Sequence, residues 1–235
     1  SVMAAPLYVR PALFSIYAFN IEASRAPWVS REPAIAEIRL QWWHDALDEI
    51  SNNQSPRRHE VVSPLAKILS PNSARKLMRL VRARRWDIYS EPFENTAAFE
   101  RYLNDTSSTL LAVAAHSLGD AETTVVTNFG YAMGLARFLQ AVPKLIAAGR
   151  HPLTGFCKAD LNELVEKGLV RLRKARYDRL AVSKEAGFAF LAGWQTENIL
   201  KRAQKFPETV KTGLRTRSSM LNSVTLSVRA LTGRW

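Results

Sequence analysis

Apolar residues recur at helical spacing along almost the whole chain, and the alternating patterns typical of β-strands are scarce. Because a helix repeats every ~3.6 residues and a strand every two, this pattern predicts an all-α domain. The chain has 235 residues, of which 47% are hydrophobic, so it can bury a sizeable core. The breaks between the helical segments are short and polar. We therefore predict one compact helical bundle over residues 1–235.

Two helices are predicted near the start of the chain. Residues 7–25 are apolar on almost every face, which predicts a helix buried in the middle of the bundle. A second helix is predicted to follow Ser30, a residue type that favours the N-cap position. Its inward stripe is predicted to consist of Ile35, Ile38, Trp42, Ala46 and Ile50.

The remaining segments also have helical character. They cover residues 73–89, 96–119, 121–148, 160–179, 184–205 and 218–231. Gly130 and Gly134 lie four residues apart in the segment 121–148, a spacing that lets two helices approach closely. Tight packing is the favoured interpretation of this glycine pair.

Charge and cysteine content limit the classes of function. The net charge is +12, which favours anionic partners such as nucleic acid, anionic lipid or a diphosphate. The single cysteine, Cys157, excludes an internal disulfide, and the four histidines show no zinc spacing. No apolar run reaches the ~18 residues that a membrane-spanning helix needs. We expect a cytoplasmic protein, or a mitochondrial matrix protein in a eukaryote, with peripheral membrane contact as an alternative.

Two sequence motifs narrow the fold further. The first is Tyr17-Ala18-Phe19-Asn20, and the second is Glu37-Ile38-Arg39-Leu40-Gln41-Trp42-Trp43-His44-Asp45-Ala46-Leu47. Together they resemble the first half of a squalene/phytoene synthase-family domain, and the resemblance covers residues 11–153. It implies the all-α isoprenoid synthase-type helical bundle with a central cavity.

Enzymes of that family hold Mg²⁺ with two pairs of aspartates, each pair four residues apart. Counted from Tyr17, the first pair falls at Ser24 and Trp28. Counted from the turn Ala148-Gly149-Arg150, the second pair falls at Ala141 and Leu145. None of these four side chains ligates Mg²⁺ as a carboxylate does. The chain therefore resembles most closely the divergent branch that lacks these aspartates and includes respiratory complex I assembly factors, and no cofactor is expected.

A substitute metal site is the alternative. Asp45, Asp48 and Glu49 lie within one helical turn of each other, as an aspartate-rich motif requires. The favoured interpretation is a solvated helix face. A polar lining of the cavity by the same side of this helix stays open, and its residues would be Glu37, Gln41, His44 and Asp45.

Several further residues are candidates for ligand binding. Tyr17, Asn20 and Glu22 are polar groups on an otherwise apolar helix, so they need partners, which Arg25 or Arg39 could supply. In an enzyme of this family, basic residues beside the second motif would grip a diphosphate. The full set of candidates is Tyr17, Asn20, Glu22, Arg39, Trp42, Arg137, Gln140 and Lys144. The aromatic residues Trp42, Trp43, Phe99, Phe129, Tyr131 and Phe138 are interpreted as core, with an isoprenoid tunnel as the alternative.

Basic helices raise two other partner classes. Nucleic acid is not favoured because no recognised binding motif accompanies the arginine-rich segments around Arg79 and Arg171. The C-terminal helix combines apolar and basic residues, and it is interpreted as a lid on the bundle rather than a membrane-surface helix. Its apolar positions are Leu221, Val224, Val228 and Leu231, with Arg215, Arg217, Arg229 and Arg234 nearby.

Two functions from different classes follow. The first is a non-catalytic synthase-like protein that binds a prenyl lipid or a protein partner, with respiratory-complex assembly as one role. The second is an active head-to-head prenyltransferase that condenses farnesyl or geranylgeranyl diphosphate, with Mg²⁺ held at Asp45, Asp48 and Glu49. The second function requires those carboxylates to point into the cavity.

Overall fold

The structure is a computed structural model that describes residues 2–30, 32–89, 91–153, 156–214 and 219–235. Within these ranges it contains helices and no β-strand, apart from an isolated antiparallel bridge between Ala121 and Val182. The all-α prediction is confirmed. The helices are α1 Arg10–Arg25, α2 Pro33–Ser51, α3 Val62–Ala66, α4 Pro71–Ala83, α5 Trp86–Tyr89, α6 Thr96–Leu103, α7 Thr109–His116, α8 Thr123–Ala147, α9 Lys158–Tyr177, α10 Lys184–Phe190, α11 Thr196–Lys205, α12 Thr209–Thr212 and α13 Ser219–Thr232.

Helix α8 runs through the centre of the bundle. It packs against α7, α9 and α11. Phe129 and Tyr131 are fully buried near its start, and burial continues along the helix to Leu145. Since burying a large apolar side chain stabilises a fold by about 1.5–3 kcal/mol, α8 anchors the bundle.

The prediction that the first helix is buried in the middle of the bundle is wrong. A 3₁₀ turn, Leu7–Val9, precedes α1. One face of α1 is buried through Leu13, Ile16 and Ala23, but Phe14 and Ile21 on the opposite side are about half exposed. Helix α1 therefore lies at the surface of the bundle.

The predicted inward stripe of α2 is wrong in part. Ile38 is 68% exposed and Ile35 is also exposed, whereas Leu40, Trp43 and Leu47 are buried. Helix α2 carries apolar residues on two sides, so periodicity alone did not identify the inward one. Its N-cap is Glu32, and the predicted cap Ser30 instead accepts a hydrogen bond from the Glu32 backbone N–H at 3.0 Å.

The predicted helix 96–119 contains a wider turn. A π-helical segment, Asn104–Ser108, separates α6 from α7. This segment meets the two glycines of α8, because a Cβ atom at Gly130 would lie 2.5 Å from Ser108 Cα and one at Gly134 would lie 2.6 Å from Ser107 Cβ. The close helix approach predicted from the glycine pair is confirmed.

The C-terminal part of the chain closes the bundle. The predicted helix 184–205 is divided by a 3₁₀ turn, Leu191–Gly193, into α10 and α11. Trp235 is buried and stacks on Phe190 with ring centroids 4.2 Å apart. This contact supports a lid role for the end of the chain. Arg215 and Arg217 lie outside the described residues, as do the side chains of Leu221, Val224 and Leu231.

Candidate functional site

A cavity of about 310 Å³ lies inside the bundle. Its wall is built by α1, the α4–α5 region, the α6–α7 region with its π-helical segment, and α8. The lining residues are Asn20, Ser24, Trp28, Arg84, Trp86, Asp87, Tyr102, Leu103, Thr106, Ser107, Leu110, Gly134, Arg137, Phe138, Ala141 and Leu145.

All four positions counted from the sequence motifs line this cavity. Ser24 and Trp28 come from the first helix and the turn after it, and Ala141 and Leu145 come from α8. Mg²⁺ prefers carboxylate and water oxygens in octahedral geometry, so a hydroxyl, an indole and two aliphatic groups do not fit it. In the part of the chain that the structure describes, no group of three or more His, Cys, Asp or Glu residues is arranged to hold a metal ion.

A network of charged and polar groups forms one side of the wall. Arg84 Nη1 donates to Asp87 Oδ2 at 3.1 Å and to Tyr102 Oη at 3.1 Å, and Tyr102 Oη donates to Asp87 Oδ1 at 2.8 Å. Burial alone lowers the pKa of Arg84, but its interactions with Tyr102 and Asp87 outweigh burial and raise the pKa overall. Burial, followed by the Asp87 charge, raises the pKa of Tyr102. Arg84 is therefore a cation and Tyr102 a neutral phenol at physiological pH.

Arg137 supplies a second positive charge to the wall. Its Nη2 donates to the Ala192 carbonyl at 3.1 Å. Burial lowers the pKa of Arg137, and the neighbouring Tyr17 partly offsets that effect. Burial raises the pKa of Tyr17 to about 12, with Arg137 acting in the opposite direction. Tyr17 Oη donates to the Ala189 carbonyl at 3.2 Å, so it bonds to the backbone rather than to Arg25 or Arg39.

Three buried polar atoms on the cavity wall have no hydrogen-bond partner among the described residues. They are Asn20 Oδ1, Arg84 Nε and Ser107 Oγ. Leaving such a group unpaired costs about 1–3 kcal/mol, so buried polar atoms in proteins are almost always satisfied by protein, water or ligand. The acceptor Asn20 Oδ1 and the donors Arg84 Nε and Ser107 Oγ can therefore bind the polar group of a ligand.

A cation–π contact lies beside the cavity, between Arg150 and the lining residue Trp28. The guanidinium carbon of Arg150 lies 3.9 Å from the centroid of the Trp28 ring. Arg150 Nη1 also donates a short hydrogen bond to the Asp87 carbonyl. The turn that follows α8 is thereby attached to both sides of the cavity.

The carboxylates of the alternative metal site lie elsewhere. Glu49 Oε1 accepts from Arg57 Nη2 at 2.6 Å, and this bond lowers the pKa of Glu49. Asp45 Oδ1 accepts from Gln41 Nε2 at 2.7 Å, and Asp48 is exposed on the outer face of α2. None of the three lines the cavity.

The polar lining predicted for α2 is likewise outside the cavity. Glu37 Oε2 lies 3.2 Å from Arg85 Nε, and Gln41 Oε1 accepts from Arg85 Nη2 at 2.9 Å. This side of α2 therefore contacts the end of α4. His44 and Asp45 do not line the cavity either.

The other predicted ligand-binding residues divide into two groups. Asn20 and Arg137 line the cavity, and Tyr17 lies close to Arg137. Five others are not part of its wall. Glu22 is 3.8 Å from Arg25, Trp42 packs against Trp43 and the Arg57 guanidinium, Gln140 is half-buried on α8, and Arg39 and Lys144 are exposed.

The predicted core aromatic residues are mostly core. Trp43, Phe99, Phe129, Tyr131 and Phe138 are buried, and Phe138 alone of this set also reaches the cavity wall. Trp42 is half-buried and lies outside the cavity.

Sequence reasoning missed part of the wall. Arg84, Trp86, Asp87, Tyr102 and Ser107 were not predicted as site residues. Arg84 is indistinguishable in sequence from the exposed arginines around it. A usable signal was the polar run 104–108 between two apolar helical segments, since a polar run there needs internal partners.

The fold and the cavity define a class of protein: an isoprenoid synthase-type bundle whose cavity is lined at the four motif-counted positions by residues other than carboxylates. A sequence model of the squalene/phytoene synthase family matches residues 1–155, and the chain belongs to this family. The fold is similar to a dehydrosqualene synthase solved in complex with ligand, with a TM-score of 0.77 and 14% identity over 98% of this chain and 89% of that chain.

Curated relatives come from the divergent branch of the family. The chain is 30% identical over 147 residues to the complex I assembly factor 6 homolog of Drosophila melanogaster, which covers 59% of this chain and 44% of that protein. It is 24% identical over 142 residues to assembly factor 6 of Homo sapiens, covering 59% and 43%. The matches therefore span less than half the length of these relatives.

No helix in the described ranges of the chain is both long enough and apolar enough to cross a bilayer.

Proposed function

We propose that this chain is a non-catalytic member of the squalene/phytoene synthase family that serves in the assembly of respiratory complex I. The proposed absence of catalysis rests on the cavity wall. Ser24, Trp28, Ala141 and Leu145 line this wall at the positions counted as metal positions. Bridging Mg²⁺ supplies several kcal/mol of transition-state stabilisation in diphosphate chemistry. Without ligands for it, condensation of prenyl diphosphates has no support.

The assembly role rests on the relatives. The proteins from fly and human are named as assembly factors for NADH dehydrogenase (ubiquinone) complex I. We place the chain in the compartment where that complex is assembled, the mitochondrial matrix side in a eukaryote or the cytoplasmic side in a bacterium. A protein partner is part of this proposal.

The cavity has a binding role in the proposal. Its volume of about 310 Å³ is at the lower end of the ~300–1,000 Å³ usual for small-molecule sites. Asp87 offsets the charge of Arg84, so Arg137 leaves the wall with a net positive charge, and Asn20 and Ser107 have unpaired polar atoms. This chemistry suits the polar end of a prenyl lipid, held without metal.

Deletion of the gene in its own organism tests the assembly role. Complex I on native gels and NADH oxidation by membranes should both fall, and re-expression of the chain should restore both. The Asp45→Asn/Asp48→Asn double variant should restore them equally well, because these carboxylates lie outside the cavity. Normal complex I in the deletion strain would contradict the assembly role.

Mass spectrometry of lipid that copurifies with the protein tests the cavity role. A prenyl lipid should be present with the wild type and depleted with Arg137→Gln, which removes a charge from the wall. Lys144→Gln is the matched control because Lys144 lies two turns further along the same helix and is not part of the cavity wall. Equal amounts of prenyl lipid with Arg137→Gln and with Lys144→Gln would contradict the cavity role.

The second candidate function, an active prenyltransferase, needs Asp45, Asp48 and Glu49 in the cavity. Glu49 and Asp45 instead accept hydrogen bonds from Arg57 and Gln41, outside the cavity. Pyrophosphate release from farnesyl diphosphate with Mg²⁺ tests this candidate. Release that is lost in the Asp45→Asn/Asp48→Asn variant would favour it.

A further inference from the structure

A second pocket, of about 450 Å³, lies at the far end of the bundle, between the α9–α10 connection, α10 and the end of α13. Four cationic residues contribute to its wall: Arg179, Lys184, Arg229 and Arg234. Among the described residues that line it, none is acidic. A concave wall with one sign of charge concentrates anions.

Arg229 is partly buried in this wall. Its Nη1 atom is buried and has no hydrogen-bond partner in the part of the chain that the structure describes. Burial lowers the pKa of Arg229, and the nearby Arg176 charge lowers it further. Leaving a buried N–H of this half-buried guanidinium unpaired is costly, so an anion that accepts a hydrogen bond from it would be favoured.

The nearest carboxylate is already neutralised. Glu197 Oε2 accepts a short hydrogen bond from Arg176 Nη1, and its Oε1 lies 2.7 Å from Lys201 Nζ. Arg176 and Lys201 thus share one carboxylate. Among the described residues Arg229 makes no ion pair with a carboxylate, although the charge of Glu197 partly offsets the two effects that lower its pKa.

The rest of the wall is mostly apolar, with Ser183 and Thr232 as its uncharged polar residues. Phe188, Leu191 and Trp235 are buried residues that contribute to the wall. Leu180, at the rim, is 93% exposed. An anion alone does not use these surfaces, whereas an anion that carries a hydrocarbon or aromatic part does.

We propose that this pocket binds an anionic amphiphile, with a phosphate group at Arg229 and its neighbouring cations and an apolar chain over Phe188, Leu191 and Trp235. The site is distinct from the cavity described above, and the proposal does not depend on the proposed function. The same chemistry occurs in free alkyl phosphates and in the headgroup region of anionic phospholipids.

Calorimetric titration of the purified protein with dodecyl phosphate, below its micelle concentration, tests the pocket. Arg229→Gln should weaken binding at least about tenfold, the size of one charge-assisted hydrogen bond. Lys184→Gln/Arg234→Gln, at two exposed positions, gives a second test that does not depend on the folding of the first variant. The matched control is Lys211→Gln, an exposed residue outside the pocket, which should bind like the wild type.

Two further probes separate the sources of the ligand. Inorganic phosphate should bind more weakly than dodecyl phosphate, and equal affinity would overturn the amphiphile assignment. Flotation with phosphatidylcholine vesicles that contain phosphatidylglycerol identifies a lipid source if it is lost in the pocket variants but not in Lys211→Gln. Binding of dodecyl phosphate without such flotation identifies a free ligand. No dodecyl phosphate binding, or binding equal in all variants, overturns the proposal.

Discussion

The Arg150 guanidinium stacks on the Trp28 ring, with its carbon 3.9 Å from the ring centroid. Trp28 is one of the positions counted from the first motif, and Arg150 belongs to the turn from which the second pair of positions was counted. In this chain a cation–π contact therefore joins the two motif regions beside the cavity.

Replacing Arg150 with Ala should destabilise the fold by about 1–2 kcal/mol, because a partly desolvated cation–π pair is lost together with the bond to the Asp87 carbonyl. The free energy of unfolding in urea, followed by circular dichroism, measures the change. Arg39→Ala is the control, since Arg39 is exposed on α2. Equal stability of the two variants would show that the stack contributes nothing.

Ser107 and Ser108 are neighbouring serines, and comparing them tests what an unpaired buried hydroxyl does to stability. Ser107 Oγ is buried without a partner among the described residues, whereas Ser108 Oγ donates to Asn104 Oδ1 at 3.2 Å. Ser107→Ala should leave stability unchanged or raise it by up to about 1 kcal/mol, while Ser108→Ala should lower it by about 1 kcal/mol. Denaturant midpoints give both values. If Ser107→Ala lost as much stability as Ser108→Ala, a bound molecule would have to satisfy the Ser107 hydroxyl.

Gly134 is predicted to tolerate no side chain. A Cβ atom there would lie 2.6 Å from Ser107 Cβ, so Gly134→Ala should destabilise the protein by about 1–3 kcal/mol through overpacking. Gly187→Ala is the control, because its nearest contact would be an ordinary 3.5 Å to Trp235 Nε1. The melting temperatures of Gly134→Ala and Gly187→Ala, measured by thermal denaturation, should therefore differ. A stable Gly134→Ala protein would show that the helices separate easily.

Glu197 should make stability depend on acid pH. Its hydrogen bonds, first from Lys201 and also from Arg176, lower its pKa from 4.5 to about 2. Because the folded-state pKa is the lower one, this stabilisation is complete above pH 4.5 and is lost as pH falls toward about 2. The unfolding free energy of Glu197→Gln should therefore be lower than that of the wild type at neutral pH. The two values should converge as pH falls from 4.5 toward about 2. Glu166→Gln, at a more exposed ion pair, should show a smaller difference throughout.

Sequence patterns predicted the architecture because helical periodicity and the Gly130 and Gly134 spacing depend on local sequence. Motif counting likewise brought Ser24, Trp28, Ala141 and Leu145 to one cavity, since spacing along a helix determines which residues share a face. The inward side of α2 was mistaken because Ile38 and Leu40 are equally apolar. Only tertiary packing decides between two such sides.

The buried polar network was beyond sequence reasoning for a different reason. Arg84 lies in a run of arginines, and its burial with Asp87 and Tyr102 depends on how α4, α5 and α6 meet. The π-helical segment is similarly set by the contact of Ser107 and Ser108 with α8. Long-range contacts of this kind leave no periodic signal.

Asp87 is the one carboxylate among the described residues that line the cavity, and its two oxygens are bonded to Arg84 and Tyr102. We therefore expect the cavity to offer no free carboxylate for magnesium. Calorimetric titration with an unreactive farnesyl thiodiphosphate, with Mg²⁺ and with EDTA, tests this expectation most directly, because Mg²⁺ strengthens the binding of a diphosphate only where free carboxylates hold the ion. We predict that the affinity is the same under both conditions within about twofold, a free-energy difference of about 0.4 kcal/mol. An affinity at least about tenfold higher with Mg²⁺ would contradict the account.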